Sequence, residues 1–259
     1  MKHDQNHPVK RLPEQTDLVG WFDTPLGKHL LECEQRLLSK LLPGIHGFHS
    51  LQLAARDLAL DDCSPVSHHF LLNKHVEGLS VSAQAEHESL PLAGETIDLV
   101  VLHHALEFSS DPHQLLREVS RVLIAGGHVV ICGFNPLSSW GLRRLLSLGK
   151  GQGPWAASMM TSRRMADWLK LLDFKVTTVR YGAYCWPVNN ARCVRVTSIF
   201  DRPARKLNWP TGGFWLICAR KQIAPLTPAS QRRRVHQSVS VGIPVVENLN
   251  SAARQDCND

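Results

Sequence analysis

His103, His104 and Glu107 follow directly on the apolar run Asp98 to Leu102 in this chain of 259 residues. Histidine and glutamate are side chains that take and return protons near neutral pH. His104 and Glu107 stand three apart, so a helix beginning after the run would put both on one face. They are the candidate catalytic pair. A plainer reading of the adjacent histidines is that one ring packs and the other meets solvent. His68-His69, on another apolar run, offers less.

These residues must be held by regular elements, and residues 97–134 read as a complete strand–helix–strand unit. Its apolar runs have strand length and β-branched content. Asp111-Pro112 places a capping side chain before a proline that can open a helix. Leu115, Leu116, Val119, Val122 and Leu123 recur at helical spacing, and Gly126-Gly127 is expected to end that helix in a left-handed turn.

The wording of this unit resembles one family. Asp98-Leu99-Val100-Val101, Leu106-Glu107, Asp111-Pro112, Leu116-Arg117-Glu118, Arg121-Val122-Leu123 and Gly126-Gly127 are similar to the fourth-to-fifth-strand segment of class I S-adenosylmethionine-dependent methyltransferases, type 11. Ala125 stands where that family has proline. The resemblance implies an α/β fold: a doubly wound, seven-stranded, Rossmann-like sheet with helices on both faces and strand order 3-2-1-4-5-7-6. The strands are expected at 48–53, 69–73, 79–83, 98–102, 128–132, 174–179 and 213–221. Asp23-Thr24-Pro25 reads as a helix start, giving a cap helix within 21–42 that covers the sheet and could also cover a cofactor. Residues 1–16 and 222–259 lack apolar periodicity and are expected to be disordered or flexible, leaving a domain of 17–221.

The resemblance also implies a cofactor, S-adenosylmethionine, at the carboxyl ends of the first and fourth strands. There the sequence departs from its family. The usual D-x-G-x-G-x-G becomes Gln52-Leu53-Ala54-Ala55-Arg56-Asp57, without a glycine. Glycine permits positive φ and close backbone approach, so Gln52 and Ala54 are expected to bind less closely. Asn73 takes the place of the acid that meets the ribose and carries no charge. Glu86, beside His87, aligns with the acid that meets adenine, and His103 with the residue facing the methionine part. Related ubiquinone-biosynthesis O-methyltransferases carry E-x-x-E-H, linked to a divalent metal, where this chain has His104, Glu107 and Phe108. Two of three differ, and no metal is carried over.

Composition bounds the remaining readings. Apolar residues make up 43% of the chain, ordinary for a buried core. No run approaches the roughly 20 apolar residues of a membrane span, and the first residues carry no secretory signal. Seven scattered cysteines without a CxxC pair read as free thiols in a cytoplasmic protein. Residues 140–206 hold 13 Lys and Arg against 3 Asp and Glu, whereas residues 1–139 hold 10 against 17. The basic half is either a solvated face or a surface for an anionic partner, with Trp155, Trp168, Tyr181, Tyr184, Trp186 and Trp209 interleaved as for base stacking. Asn135-Pro136, a presumed exposed Trp140 and Arg143-Arg144 after the fifth strand mark a candidate acceptor contact. Two functions follow: methyl transfer to an unknown acceptor, or a non-catalytic methyltransferase-like module whose basic half holds nucleic acid or another anion.

Overall fold

The computed structural model describes residues 16–54, 56–73, 83–84, 88–147, 153–198 and 201–223. Seven strands form one sheet: β1 (His49–Ala54), β2 (His68–Asn73), β3 (Ala83–Gln84), β4 (Ile97–His103), β5 (Leu123–Phe134), β6 (Phe174–Gly182) and β7 (Phe214–Lys221). Their order is β3-β2-β1-β4-β5-β7-β6, as the resemblance implies. β1 to β5 pair in parallel, and β7 runs antiparallel between β5 and β6. The sheet is covered on both faces, so its central strands are apolar almost throughout. The terminal stretches 1–15 and 224–259, including most of the expected flexible segments, lie outside the described residues.

The helices are α1 (Thr16–Phe22), α2 (Pro25–Leu41), α3 (Pro112–Val122), α4 (Ser139–Leu146), α5 (Ser162–Leu171), α6 (Ala191–Thr197) and α7 (Asp201–Lys206). α3 and α5 contribute to a core with Leu51, Leu53, Val100, Leu102, Val129 and Ile131. α1 and α2 cover the other face, over Leu99, Val101, Val130, Cys132 and Phe134. The stretch 21–42 thus contains a break as well as a helix. Thr24 accepts a hydrogen bond from the Gly27 amide at 3.1 Å and donates to the Trp21 carbonyl at 2.7 Å, closing α1 and opening α2. Pro25 follows as the first helical residue, where its missing N–H costs nothing.

One local reading needs correction. Gly126-Gly127 does not end α3, which stops at Val122 with Leu123 already extended. The glycines instead lie in a bulge of β5, where the pairing jumps from Ile97–Leu123 to Leu99–His128. Gly126 takes the left-handed φ of 84° there, and a Cβ on Gly127 would come within 3.0 Å of the Asp98 carbonyl oxygen. The β1–β2 crossover contains a short 3-10 turn, Leu60–Asp62, among its described residues. Leu58, Leu60 and Val66 are buried in the same core as α2, so apolar loop residues and the cap helix cover that part of the sheet.

Thr24→Ala removes the α2 cap. The expected cost is about 1 kcal/mol, read as a lower urea midpoint with an unchanged slope.

Candidate active site and a buried polar cluster

Parallel pairing brings Ala54, at the end of β1, opposite His103, at the end of β4. This is the switch point at which ligands of open α/β sheets bind. Both residues are fully buried. Gln52 is buried too, and its side-chain amide donates to the Arg56 carbonyl at 3.0 Å, bracing the turn that replaces the glycine loop. Arg56 then reaches the α1–α2 junction, bonding Asp23 at 2.9 Å. Asn73 ends β2 with its backbone paired to Gln84 of β3. Its side chain, together with Glu86 and His87, lies outside the described residues.

Beside that switch point the cap helix and the strand ends share a polar cluster. One oxygen of Glu34, on α2, is 2.9 Å from His103 Nε2, and the other is 2.9 Å from His104 Nε2. The Cys132 thiol donates to Glu34 at 3.4 Å. His104 Nδ1 meets Glu107 at 2.8 Å, and the other Glu107 oxygen accepts the Phe134 amide at 2.6 Å. The Phe22 and Phe134 rings stack on His103 and His104, respectively. None of these polar side chains is more than 4% exposed.

A backbone feature makes the convergence possible. Successive side chains of a strand point to opposite faces. His104 leaves the strand with φ of 52°, a left-handed conformation uncommon outside glycine, and both rings then reach one carboxylate. The His104–Glu107 pair is therefore built on a turn; the helix expected after β4 begins only at Pro112.

Burial opposes ionisation of Glu34, but the charges of His104 and then His103 outweigh it and hold its pKa at about 2. Burial likewise opposes charge on His104, yet Glu34 and Glu107 raise its pKa to about 9. His103, for which burial dominates, is lowered, and burial raises Glu107. One ionised pair, Glu34 and His104, thus sits in an apolar surround. A buried pair of this kind tolerates loss of one partner poorly.

Several sequence-level candidates fall elsewhere. Trp140 is fully buried rather than exposed, its indole N–H donating to the Cys185 carbonyl at 3.1 Å. Asn135 donates to the Pro210 and Gly212 carbonyls and so braces the approach to β7, while Ser138 caps α4. Of the interleaved aromatics, Trp186 and Trp209 are exposed at 65% and 55%, whereas Trp155 is buried. Glu34 escaped the sequence reading, although a signal existed. It interrupts the apolar stripe Leu26, Leu30, Leu38 at the position where a fourth apolar residue belongs.

The strand order and the parallel β1–β4 switch point are those of the Rossmann-like methyltransferase fold. The family described as methyltransferase domain matches residues 44–131. The protein YafS of Escherichia coli K12, described as uncharacterized, is 35% identical over 227 residues, covering 85% of this chain and 89% of its own length. A demethylmenaquinone methyltransferase of Thermobifida fusca is 39% identical over 69 residues, 26% of this chain and 29% of that one. Among solved structures, a SAM-dependent methyltransferase of Thermotoga maritima superposes with a TM-score of 0.59 at 17% identity, over 79% of this chain and 94% of that one. A methyltransferase solved with the Trm112 activator from Haloferax volcanii gives 0.57 at 14% identity, over 81% and 99%. The chain belongs to the class I S-adenosylmethionine-dependent methyltransferases of type 11. S-adenosylmethionine is the cofactor of that family. The described residues fit it at the β4 end, where His103 Nδ1 is a buried polar atom with no hydrogen-bond partner among the described residues.

Outside the cluster, Glu88 ties the loop after Glu107 to the segment before β4. It accepts from the Ser109 hydroxyl at 2.7 Å and from the Ser110 hydroxyl and amide at 2.9 and 3.1 Å. Burial pushes its pKa up, but these donors outweigh that and hold it at about 2. A depressed carboxylate pKa stabilises the fold above the ordinary value and ceases to do so as pH falls through the folded one. Glu88→Gln is therefore expected to melt a few degrees below wild type at pH 7, with the gap closing between pH 4.5 and about 2.

Proposed function

We propose that this methyltransferase acts, as a cytoplasmic enzyme, on an amphiphilic acceptor: an apolar body with an anionic or strongly polar head. The observation that carries the proposal is an exposed apolar rim on the carboxyl edge of the sheet. Leu137, Leu142, Leu145 and Leu146 follow β5, and Trp186, Val188 and Val196 follow β6; all are between 44% and 76% exposed. The indole bond from Trp140 to Cys185 and a bond from Arg143 to the Pro187 carbonyl join these two segments. Arg143, Arg144, Arg192 and Arg195 lie among them, and residues 134–150 and 174–200 contain no acidic residue. Because β6 runs parallel to β5, both segments leave the sheet on its carboxyl edge, the edge of the β1–β4 switch point. The name of the Thermobifida fusca relative, demethylmenaquinone methyltransferase, is in keeping with this reading.

Gln52, Ala54, Asn73, Glu86, His87 and His103 would hold S-adenosylmethionine, with the Ala54 backbone and the His103 ring nearest the switch point. When bound, the cofactor supplies an electrophilic methyl on a sulfonium. This chain must align the acceptor with it and exclude water, and alignment alone can provide much of the rate. His104 and Glu107 were the candidate catalytic residues. With their polar atoms engaged as described, they serve better to position the β4 and β5 ends than to take a proton from an acceptor. The acceptor atom must then be nucleophilic without a protein base, as an amine, phenolate, thiolate or stabilised carbanion is.

Nucleic-acid binding by the basic half draws less support, since only Trp186 and Trp209 among the aromatics weighed for stacking are largely exposed. Titration calorimetry with S-adenosylmethionine and S-adenosylhomocysteine is expected to show binding, tightened severalfold by Ala54→Gly. Absence of heat near millimolar cofactor would refute the cofactor assignment. With methyl-labelled cofactor and fractionated cell extract, label is expected in the lipid-soluble products. Transfer confined to RNA or to small water-soluble molecules would overturn the acceptor class.

A further inference from the structure

Glu34, His103, His104 and Cys132 bring four ligand atoms within 4.8 Å of one another, all buried. We propose that these four side chains bind a zinc ion, which fastens the cap helix α2 to the ends of β4 and β5. This proposal stands apart from the methyl-transfer reading and uses none of its premises.

The donor set fits the ion. Zinc takes thiolate, imidazole and carboxylate ligands in tetrahedral sites, with bonds of about 2.0–2.3 Å. Donors around such an ion are about 3.2–3.8 Å apart, as the same bond lengths require. Glu34 Oε1 lies 2.9 Å from His104 Nε2 and 3.4 Å from the Cys132 sulfur, Oε2 lies 2.9 Å from His103 Nε2, and one ligand atom from each of the four falls within 4.8 Å of the others. The ionic charges also match. A carboxylate, a thiolate and two neutral imidazoles offset a divalent cation.

The surrounding contacts resemble those of a metal centre. Histidines that ligate metals usually donate their other ring N–H to a carboxylate or carbonyl, which fixes the tautomer. His104 Nδ1 is held by Glu107 in this way, leaving Nε2 to face Glu34, and Glu107 is itself oriented by the Phe134 amide. The polar network as it stands leaves one buried ring atom, His103 Nδ1, without a hydrogen-bond partner among the described residues. With zinc bound, the Cys132 thiol proton and the His104 Nε2 proton are released to solvent, the His103 ring proton moves from Nε2 to Nδ1, and the hydrogen bonds to Glu34 are replaced by metal–ligand bonds. All four positions are filled by protein, so the site is structural, with no place for a reacting water.

The test uses the full chain purified after growth with zinc and dialysed against metal-free buffer. Elemental analysis is expected to find stoichiometric zinc, and X-ray absorption of the wild-type protein one sulfur with three nitrogen or oxygen donors. Replacement by cobalt should give a thiolate charge-transfer band and intense tetrahedral visible bands. Cys132→Ser should abolish the charge-transfer band, while Cys193→Ser, at an exposed cysteine, should retain it. Folded protein that holds no stoichiometric metal and gives no such cobalt spectrum overturns the proposal. So does a metal with several sulfur ligands or none. If Cys132→Ser fails to fold, the wild-type absorption spectrum decides alone. Cofactor titration on the same preparation keeps failure here separate from failure of the methyl-transfer reading.

Discussion

The carboxylate of Glu34 is the point at which two layers of this protein depend on each other. It is fully buried beneath an otherwise apolar helix face and meets imidazoles from the end of β4. A carboxylate in such surroundings is tolerated only when paired and hydrogen-bonded. The seating of α2 on the sheet is therefore more specific than apolar packing would make it: a helix shifted by one residue would present Cys33 or Gln35 to the two rings. The left-handed backbone at His104 and the stacked phenylalanines serve the same convergence.

The turn after β1 is tied to the helices that cover the sheet. In a glycine loop, the backbone itself approaches a ligand. In this chain Gln52 fastens the turn to the Arg56 carbonyl, and Arg56 is fastened to Asp23 between α1 and α2. The end of β1 thus carries a side-chain tie to the α1–α2 junction.

The sheet was legible where apolar runs of strand length stand out locally, as the β-branched runs of β4 and β5 do; strand order came from resemblance rather than from spacing. Errors arose where local chemistry admits two outcomes. Gly126-Gly127 suits a helix end and a strand bulge equally, and the pairing with Ile97 and Leu99 decides between them. Trp140 lies among arginines and leucines and reads as exposed, but its indole finds a carbonyl acceptor 45 residues away. At the site, His103, His104 and Glu107 stood out because they are clustered in sequence. Glu34 and Cys132 did not, since they join the cluster across 69 and 98 residues, respectively.

The antiparallel β7 also determines where the chain emerges. Arg220 pairs opposite His128, and the Lys221 ammonium donates to the Ser120 and Leu123 carbonyls at 2.8 Å, so the strand finishes where β5 begins. That margin is the opposite one from the β1–β4 switch point. A fluorophore or surface tether joined just past Ile223 would start from the protein's rear, leaving the carboxyl edge of the sheet clear at the point of attachment.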